Sequence, residues 1–346
     1  MDVKELRNET DRVNQKLADQ VRARMELAGP ASEYDRMAAE EILAETEALA
    51  RRKEFTLMPE QADDEHGFTS VPELAVRGVR VVFQGVEGAY SHQATRLFFG
   101  RDADMHCVPT FEGAVEEIDH GEAEYAVLPI ENTTGGAVGD VLDLQMKYSC
   151  YTVAELDLPI RHVLLGLPDA RLEEIDTVYS HPQGLLQCSD FLEKHREWGR
   201  IPMNNTAASA KRLVADGDPR HAAIASEMAG ELYGLKVLAE NIANQTTGNT
   251  TRFIIATGKK IYRQDAGKIR ICFECRHATG VLYRLLSNFA FNGLNMTKIE
   301  SRPIPGRNWE YRFFIDFEGN LDEPRVKTAL AGIRREASLC KVLGNF

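Results

Sequence analysis

The sequence predicts an α/β chain with a two-lobed central domain, a smaller α+β unit behind it and a short helical segment in front. Three observations predict this. Strand-like and helix-like segments alternate from residue 79 to residue 257, the pattern of α/β sheets whose ligands sit at strand ends. Residues 267–346 give the order βαββαβ, the ferredoxin-like unit. Residues 1–56 read as helix.

Taken in order, Val3, Leu6, Thr10, Val13, Leu17, Val21, Met25 and Ala28 recur near helical spacing and predict a helix over 2–28. Gly29-Pro30 stops it. A second, Ala/Glu-rich helix spans about 33–53, and residues 57–77, with no apolar period, read as a linker. Strand candidates then fall at 79–84, 105–108, 124–130, 151–156, 162–167, 176–180, 200–204, 221–225, 237–240 and 252–257. Helix candidates fall at 111–119, 137–146, 183–194, 206–216 and 226–233. Residues 78–258 thus make two parallel α/β lobes around a cleft, one from about 78–157 and 234–258, the other from about 158–233. In the last unit, strands at 268–275, 295–301, 309–317 and 339–343 alternate with helices at 279–292 and 322–336.

Composition excludes several functions. Of 346 residues, 43% are apolar and 27% charged, and the net charge is −12. With no basic cluster, nucleic acid and anionic membrane surfaces are not expected partners. No run approaches the ~18 apolar residues of a membrane span. Met1-Asp2-Val3-Lys4-Glu5 carries no apolar signal core and reads as cytoplasmic. The six cysteines are scattered and read as reduced thiols. Cys272 and Cys275 form a C-x-x-C on a strand, where a spacing of three points them to opposite faces. No metal constellation, phosphate-binding loop or cofactor lysine is evident, so no cofactor is expected.

Four polar clusters sit at strand ends. Gly85-x-x-Gly88-Ala89-Tyr90-Ser91 joins a strand to a helix, and reads as a tight turn or as an anion cradle at a helix N-terminus. Glu131-Asn132-Thr133-Thr134-Gly135-Gly136 follows a buried strand, and is either a helix cap or a set of ligand donors. Ser180-His181-Pro182-Gln183 opens a helix on which Gln183 and Gln187 share a face. Ser180 and His181 lack a nucleophile elbow, and His181 reads as structural. The fourth cluster runs from Gln245 through Thr246-Thr247-Gly248-Asn249-Thr250-Thr251 to Arg252-Phe253 and enters an apolar strand. It offers neutral donors and one cation to a small anion. Arg252 is either a carboxylate clamp or a structural ion pair.

These four motifs, in this order, resemble the prephenate dehydratase family. The resemblance covers about 79–257 and implies a two-lobed, periplasmic-binding-protein-like fold. The unit at 267–346 resembles the ACT regulatory domain that follows in such enzymes. Gly280-Val281-Leu282-Tyr283 and Glu300-Ser301-Arg302-Pro303 stand at its two motifs. The resemblance implies that phenylalanine binds between paired ACT domains near Gly280, Val281, Leu282, Leu294, Asn295, Glu300, Ser301, Arg302 and Pro303 as a feedback inhibitor. A homodimer or homotetramer is therefore expected. The N-terminal segment is similar to a helical chorismate mutase in Leu6-Arg7, Asp11, Arg24 and Tyr34-Asp35. It departs where Gly29-Pro30 cuts the helix and where Ala38 and Ala39 replace an Arg-Glu pair, so it reads as an inactive remnant.

The implied reaction removes carbon dioxide and hydroxide together from prephenate and leaves aromatic phenylpyruvate. Thr251 is the candidate donor to the leaving hydroxyl. Ser91, Glu131, Asn132, Thr133, Ser180, Gln183, Gln187, Arg252 and Phe253 are the candidates that bind and orient substrate. The implied alternatives are arogenate as substrate, a bifunctional mutase–dehydratase, and a non-catalytic two-lobed amino-acid sensor.

Overall fold

A computed structural model describes residues 3–27, 37–39, 42, 46, 67–244, 248–276 and 278–346. The expectations for Ala28, Gly29-Pro30, Tyr34, Asp35 and most of the helix at 33–53, for residues 57–66, and for 245–247 lie outside them. The chain divides into two compact units, Met1–Glu73 with Lys260–Phe346, and Leu74–Lys259. In the first of these the amphipathic period produces a helix at Val3–Leu27.

The linker expected at 57–77 fails at its described end. Thr69–Val71 forms β1, which pairs in parallel with β13 (Ile261–Arg263). Phe68 and Tyr262 are both buried there. Two three-residue strands carry too little period to be read from sequence, and each exists only because the other supplies its ladder.

The central unit holds two sheets. In the first lobe β2 (Arg80–Gln84) is flanked in parallel by β3 (Asp104–Val108) and β4 (Tyr125–Asn132). A two-residue β5 (Gly136–Ala137) folds back on β4. The lobe is completed by β6 (Tyr151–Pro159) and by β12 (Thr250–Thr257), which pairs antiparallel with both β4 and β6. Its helices are Tyr90–Phe99, Phe111–His120 and Gly139–Lys147. Tyr125, Ala126, Val127 and Leu128 are all buried, as a strand covered on both faces requires.

The second lobe orders its strands β11-β7-β10-β8-β9. They are β7 (Val163–Gly166), β8 (Thr177–Ser180), β9 (Gly199–Pro202), β10 (His221–Ala225) and β11 (Lys236–Ala239). Asn205 and Ser226 cap the helices Thr206–Asp216 and Glu227–Tyr233, accepting from Ala208 N–H and Ala229 N–H. Trp198, Leu164, Val178 and Ile224 are buried in its core.

Three expectations differ from the structure. Both sheets are mixed, not parallel: β12 runs against β4, and β7 runs against β10 and β11. The strands next to the lobe crossings are the ones that run against their neighbours. Residues 236–239 were assigned to the first lobe, but β11 pairs with β7 in the second. Sequence order does not show which sheet edge a late strand completes. The helix expected over 183–194 is also two short helices, Pro182–Gln187 and Ser189–Leu192, parted at Cys188.

In the carboxyl-terminal unit the strands β14 (Lys268–Glu274), β15 (Met296–Pro303), β16 (Tyr311–Glu318) and β17 (Leu339–Asn345) alternate with helices Val281–Phe291 and Pro324–Glu336. The βαββαβ order is present, with sheet order β15-β16-β14-β17. Phe273, Phe289, Phe317 and Leu330 are buried in its core. Inside it, Arg270 and Asp316 form a bidentate pair at 2.7 and 2.6 Å, the geometry a buried charge needs.

Candidate active site

A cavity of about 510 Å³ opens between the two lobes of the central unit. The first lobe lines it with Tyr90, Ser91, Pro129, Asn132, Thr251 and Phe253, and the second with His181, Gln183, Gly184, Gln187, Asn205 and Thr206. None of its lining residues is Lys, Arg, Asp or Glu. Two helices of ten and eleven residues, Tyr90–Phe99 and Thr206–Asp216, begin at its wall. Their first-turn N–H groups and dipoles give an anion a positive environment without a charged side chain.

The polar wall follows from strand alternation on β12. Thr251 stands in register with Asn132, Arg252 with Glu131, and Phe253 with Pro129 across a bulge at Ile130. Side chains alternate in direction along a strand. Thr251, Phe253, Asn132 and Pro129 therefore face the cavity, while Arg252 and Glu131 face away from it.

Asn132 is the hub of this wall. Its Oδ1 accepts from the backbone N–H of Thr134 and Gly135 at 3.0 and 2.8 Å. Backbone N–H groups only donate, so the amide orientation is fixed. Nδ2 then donates to Thr251 Oγ1 at 2.9 Å and to Asn249 Oδ1 at 2.9 Å. With one of its two lone pairs engaged, the Thr251 hydroxyl has its hydrogen available to a ligand. Among the described residues no protein group accepts it.

The turn before the helix Tyr90–Phe99 supplies a second wall. Gly88 adopts φ 86°, and its N–H donates to His92 Nδ1 at 3.0 Å. A Cβ at Gly88 would stand 3.2 Å from the Ala229 Cβ, so the close approach of the lobes requires glycine there. The Ser91 hydroxyl donates to the Gln84 carbonyl. His181 caps its own helix, accepting from Gln183 N–H at 3.1 Å, in keeping with its structural reading. Burial lowers the His181 pKa.

Four sequence candidates stand outside the cavity lining. Ser180 is fully buried and donates to the Ile224 carbonyl at 2.9 Å. The Thr133 hydroxyl ties the Gly248 carbonyl at 2.6 Å and accepts from Thr250 N–H, bracing the loop. Arg252 grips Asp157 through two bonds of 2.8 and 3.1 Å, with Glu155 at 3.8 Å and Glu131 at 4.0 Å. It is a structural ion pair in an acidic cluster, and the Asp157 bond foremost pushes its pKa further up. Glu131 shares that cluster. The sequence motifs come together around the cavity, but their alternation was not resolved residue by residue.

Three polar neighbours of these walls were not among the sequence candidates. His162 is 4% exposed, with Nε2 2.8 Å from Gln187 Oε1 and Nδ1 3.0 Å from the Tyr90 hydroxyl. Burial lowers the His162 pKa, opposed by the Gln187 bond. Tyr90, held by the Arg161 carbonyl at 2.8 Å, has its pKa raised by burial. Thr134 receives Gln187 Nε2 at 2.7 Å. The one sequence signal for His162 was a polar residue opening the first strand of the second lobe. Among the described residues no cluster of three His, Cys, Asp or Glu is placed to hold a metal ion.

In the carboxyl-terminal unit the expected effector residues fall at two ends. Arg302 on β15 and Glu274 on β14 both register with Arg312, so residues 300–303 lie at the end where Gly280 caps the helix Val281–Phe291. Leu294 and Asn295 follow that helix at its other end, roughly 16 Å away at 1.5 Å per residue. Leu294 is buried, whereas Asn295 is exposed.

Comparison with known proteins follows this geometry. Residues 81–260 match the family described as prephenate dehydratase. The chain is 40% identical over 272 residues to a bifunctional chorismate mutase/prephenate dehydratase of Enterobacter agglomerans, covering 77% of this chain and 70% of that protein. It is 36% identical over 285 residues to an arogenate dehydratase/prephenate dehydratase of Arabidopsis thaliana, covering 78% and 68%. A solved prephenate dehydratase from Arthrobacter aurescens, in complex with L-Phe, aligns with a TM-score of 0.70 and 32% identity, over 77% of this chain and 89% of that one.

Proposed function

Since the chain belongs to the prephenate dehydratase family, we infer that it carries out that family's lyase reaction in the cleft around Thr251. Its two-lobed central unit has the periplasmic-binding-protein-like form of that family. Prephenate carries two carboxylates and a ring hydroxyl. The ring carboxylate leaves as carbon dioxide and its electrons enter the ring. The carbon–oxygen bond breaks and, with one proton added, the hydroxyl leaves as water, giving phenylpyruvate. Aromatisation supplies the driving force.

The observation that carries this reading is the Thr251 hydroxyl, whose oxygen is bonded by Asn132 and which lines a cavity without Lys, Arg, Asp or Glu. A threonine is a weak acid, so its contribution is a hydrogen bond that strengthens as charge builds on the leaving oxygen. The helix N-termini at Tyr90 and Thr206 are suited to the substrate carboxylates. A poorly solvated ring carboxylate is also closer to losing carbon dioxide.

Arogenate carries an ammonium where prephenate has a keto oxygen. No carboxylate lines the cavity to pair with it, which favours prephenate. The test is turnover of prephenate and of arogenate by the purified chain, beside Thr251→Ala. We expect prephenate to be preferred, and the variant to lose roughly 10²–10³ in kcat with an unchanged melting temperature. Near-parental kcat in Thr251→Ala would reject the assignment.

Phenylalanine is the proposed effector, and a pair of carboxyl-terminal units the proposed site. The separation of Leu294 and Asn295 from 300–303 supports this, because a ligand touching all of them needs the far end of a second copy. The oligomer is then a homodimer or a homotetramer built from such pairs. The N-terminal segment is proposed as a remnant without mutase activity. Six free cysteines support a reducing, cytoplasmic setting.

A further inference from the structure

One chain of hydrogen bonds runs from Tyr90 to Thr251 and bridges the cleft twice. It starts in the first lobe, where the Tyr90 hydroxyl meets His162 Nδ1 at 3.0 Å. His162 stands directly before the second lobe's β7, and its Nε2 meets Gln187 Oε1 at 2.8 Å. Gln187 Nε2 then returns to the first lobe and donates to Thr134 Oγ1 at 2.7 Å. Thr134 donates to Asn132 Oδ1 at 2.7 Å, and Asn132 donates to Thr251 at 2.9 Å.

From Asn132 back to His162 Nε2, the direction of each bond is determined by the last. Asn132 Oδ1 is an acceptor because backbone N–H groups point at it. The Thr134 hydrogen must go to that oxygen, so Thr134 accepts from the Gln187 amide nitrogen. Gln187 Oε1 then faces His162, and Nε2 must carry a hydrogen. In the neutral imidazole Nδ1 is an acceptor, and the one Tyr90 hydrogen is shared between it, at 3.0 Å, and the Arg161 carbonyl, at 2.8 Å. The burial that lowers the His162 pKa supports the neutral form. Hydrogen bonds aligned head to tail polarise one another.

We propose that Thr134 and His162 are positioning residues that hold the Gln187 amide at both ends as a clasp across the cleft, so that the second-lobe wall is seated against the Asn132–Thr251 pair when the lobes are closed. This rests on the reading of Thr251 as donor to the leaving hydroxyl. Thr134 is exposed and belongs to no core, yet among the described residues it is the one link that carries the second-lobe amide to the Asn132 hub.

The test compares kcat and KM for prephenate in Thr134→Val, Thr134→Ser, His162→Leu and the Thr134→Val/His162→Leu double variant. Thr134→Val should lower kcat/KM by about tenfold or more at an unchanged melting temperature, and Thr134→Ser should restore it to within about threefold. If both residues serve one clasp, the double variant loses no more than the worse single one, whereas independent roles would multiply. Should His162→Leu fail to fold, Tyr90→Phe takes its place in the cycle. A Thr134→Val enzyme within twofold of the parent, or losses that multiply, overturns the clasp. A parent chain that leaves prephenate unchanged sinks the functional reading before any variant is compared.

Discussion

Thr251 and Arg252 are neighbours with opposite assignments, and the difference is one step of the β-pleat. Thr251 faces Asn132 and the cavity, while Arg252 faces Asp157, Glu155 and Glu131. An arginine beside a substrate cleft invites the role of carboxylate clamp, but here its fork is already filled by Asp157. The pair is part-exposed, so its net contribution is about 1 kcal/mol or less. Arg252→Met also leaves three carboxylates without their shared cation. A melting temperature lower by about 2–4 °C is expected, with KM for prephenate within about threefold of the parent. Calorimetry and steady-state kinetics on the same preparation decide this. A tenfold rise in KM at an unchanged melting temperature would restore the clamp.

At the scale of elements, the helix Pro182–Gln187 carries the clasp and sits on a fully buried serine. A Cβ at Gly184 would stand 2.6 Å from Ser180 Oγ and 3.4 Å from Thr206 Cγ2. Ser180 cannot swing aside without breaking its buried bond to the Ile224 carbonyl. Gly184→Ala must therefore lift the helix and carry Gln187 away from Thr134. Overpacking of this kind costs about 1–3 kcal/mol. We expect a lower melting temperature together with a loss of about tenfold or more in kcat/KM, read by calorimetry and prephenate turnover. Parental kinetics would mean that the helix absorbs the methyl without moving Gln187. The motif containing Gly184 was legible because Pro182, Gln183 and Gln187 carry helical spacing. Its purpose was not, because the burial of Ser180 depends on β10, forty-four residues further on. Thr134 was passed over for Thr133 for the same reason. Two adjacent threonines differ only in which loop each meets, and those partners, Gly248 and Gln187, are distant in sequence. The βαββαβ order needed only local period and was read nearly to the residue. β1 and β13 depend wholly on each other and were missed.

Over the whole molecule, a net charge of −12 opposes the approach of a dianion, and the cavity answers with helix termini and neutral donors rather than lysines. A site built this way binds through groups that do not titrate near neutrality, so its acid sensitivity belongs to its histidines. Burial is the first cause of the lowered pKa at His92, His162 and His181. For His162 both ring partners, Tyr90 and Gln187, are uncharged. The unfolded chain keeps the ordinary imidazole value near 6.5 and so takes up its proton first as pH falls. The stability that His162 contributes is complete above that value. It declines below it by at most about 1.4 kcal/mol per pH unit, until the folded form is protonated as well. Carboxylates held below their usual range, such as Asp216 beside Tyr179 and Asp218 beside Arg220, add a separate loss only at more acid pH. The melting temperature should thus be flat from pH 8 to about 7 and fall between about 6.5 and 5. His162→Gln keeps a donor toward Gln187 and does not titrate, so its decline over the same interval should be shallower. Calorimetry of both proteins across pH 5–8 tests this. Equal slopes would show that His162 takes up its proton as readily folded as unfolded, and that the clasp is not built on a neutral imidazole.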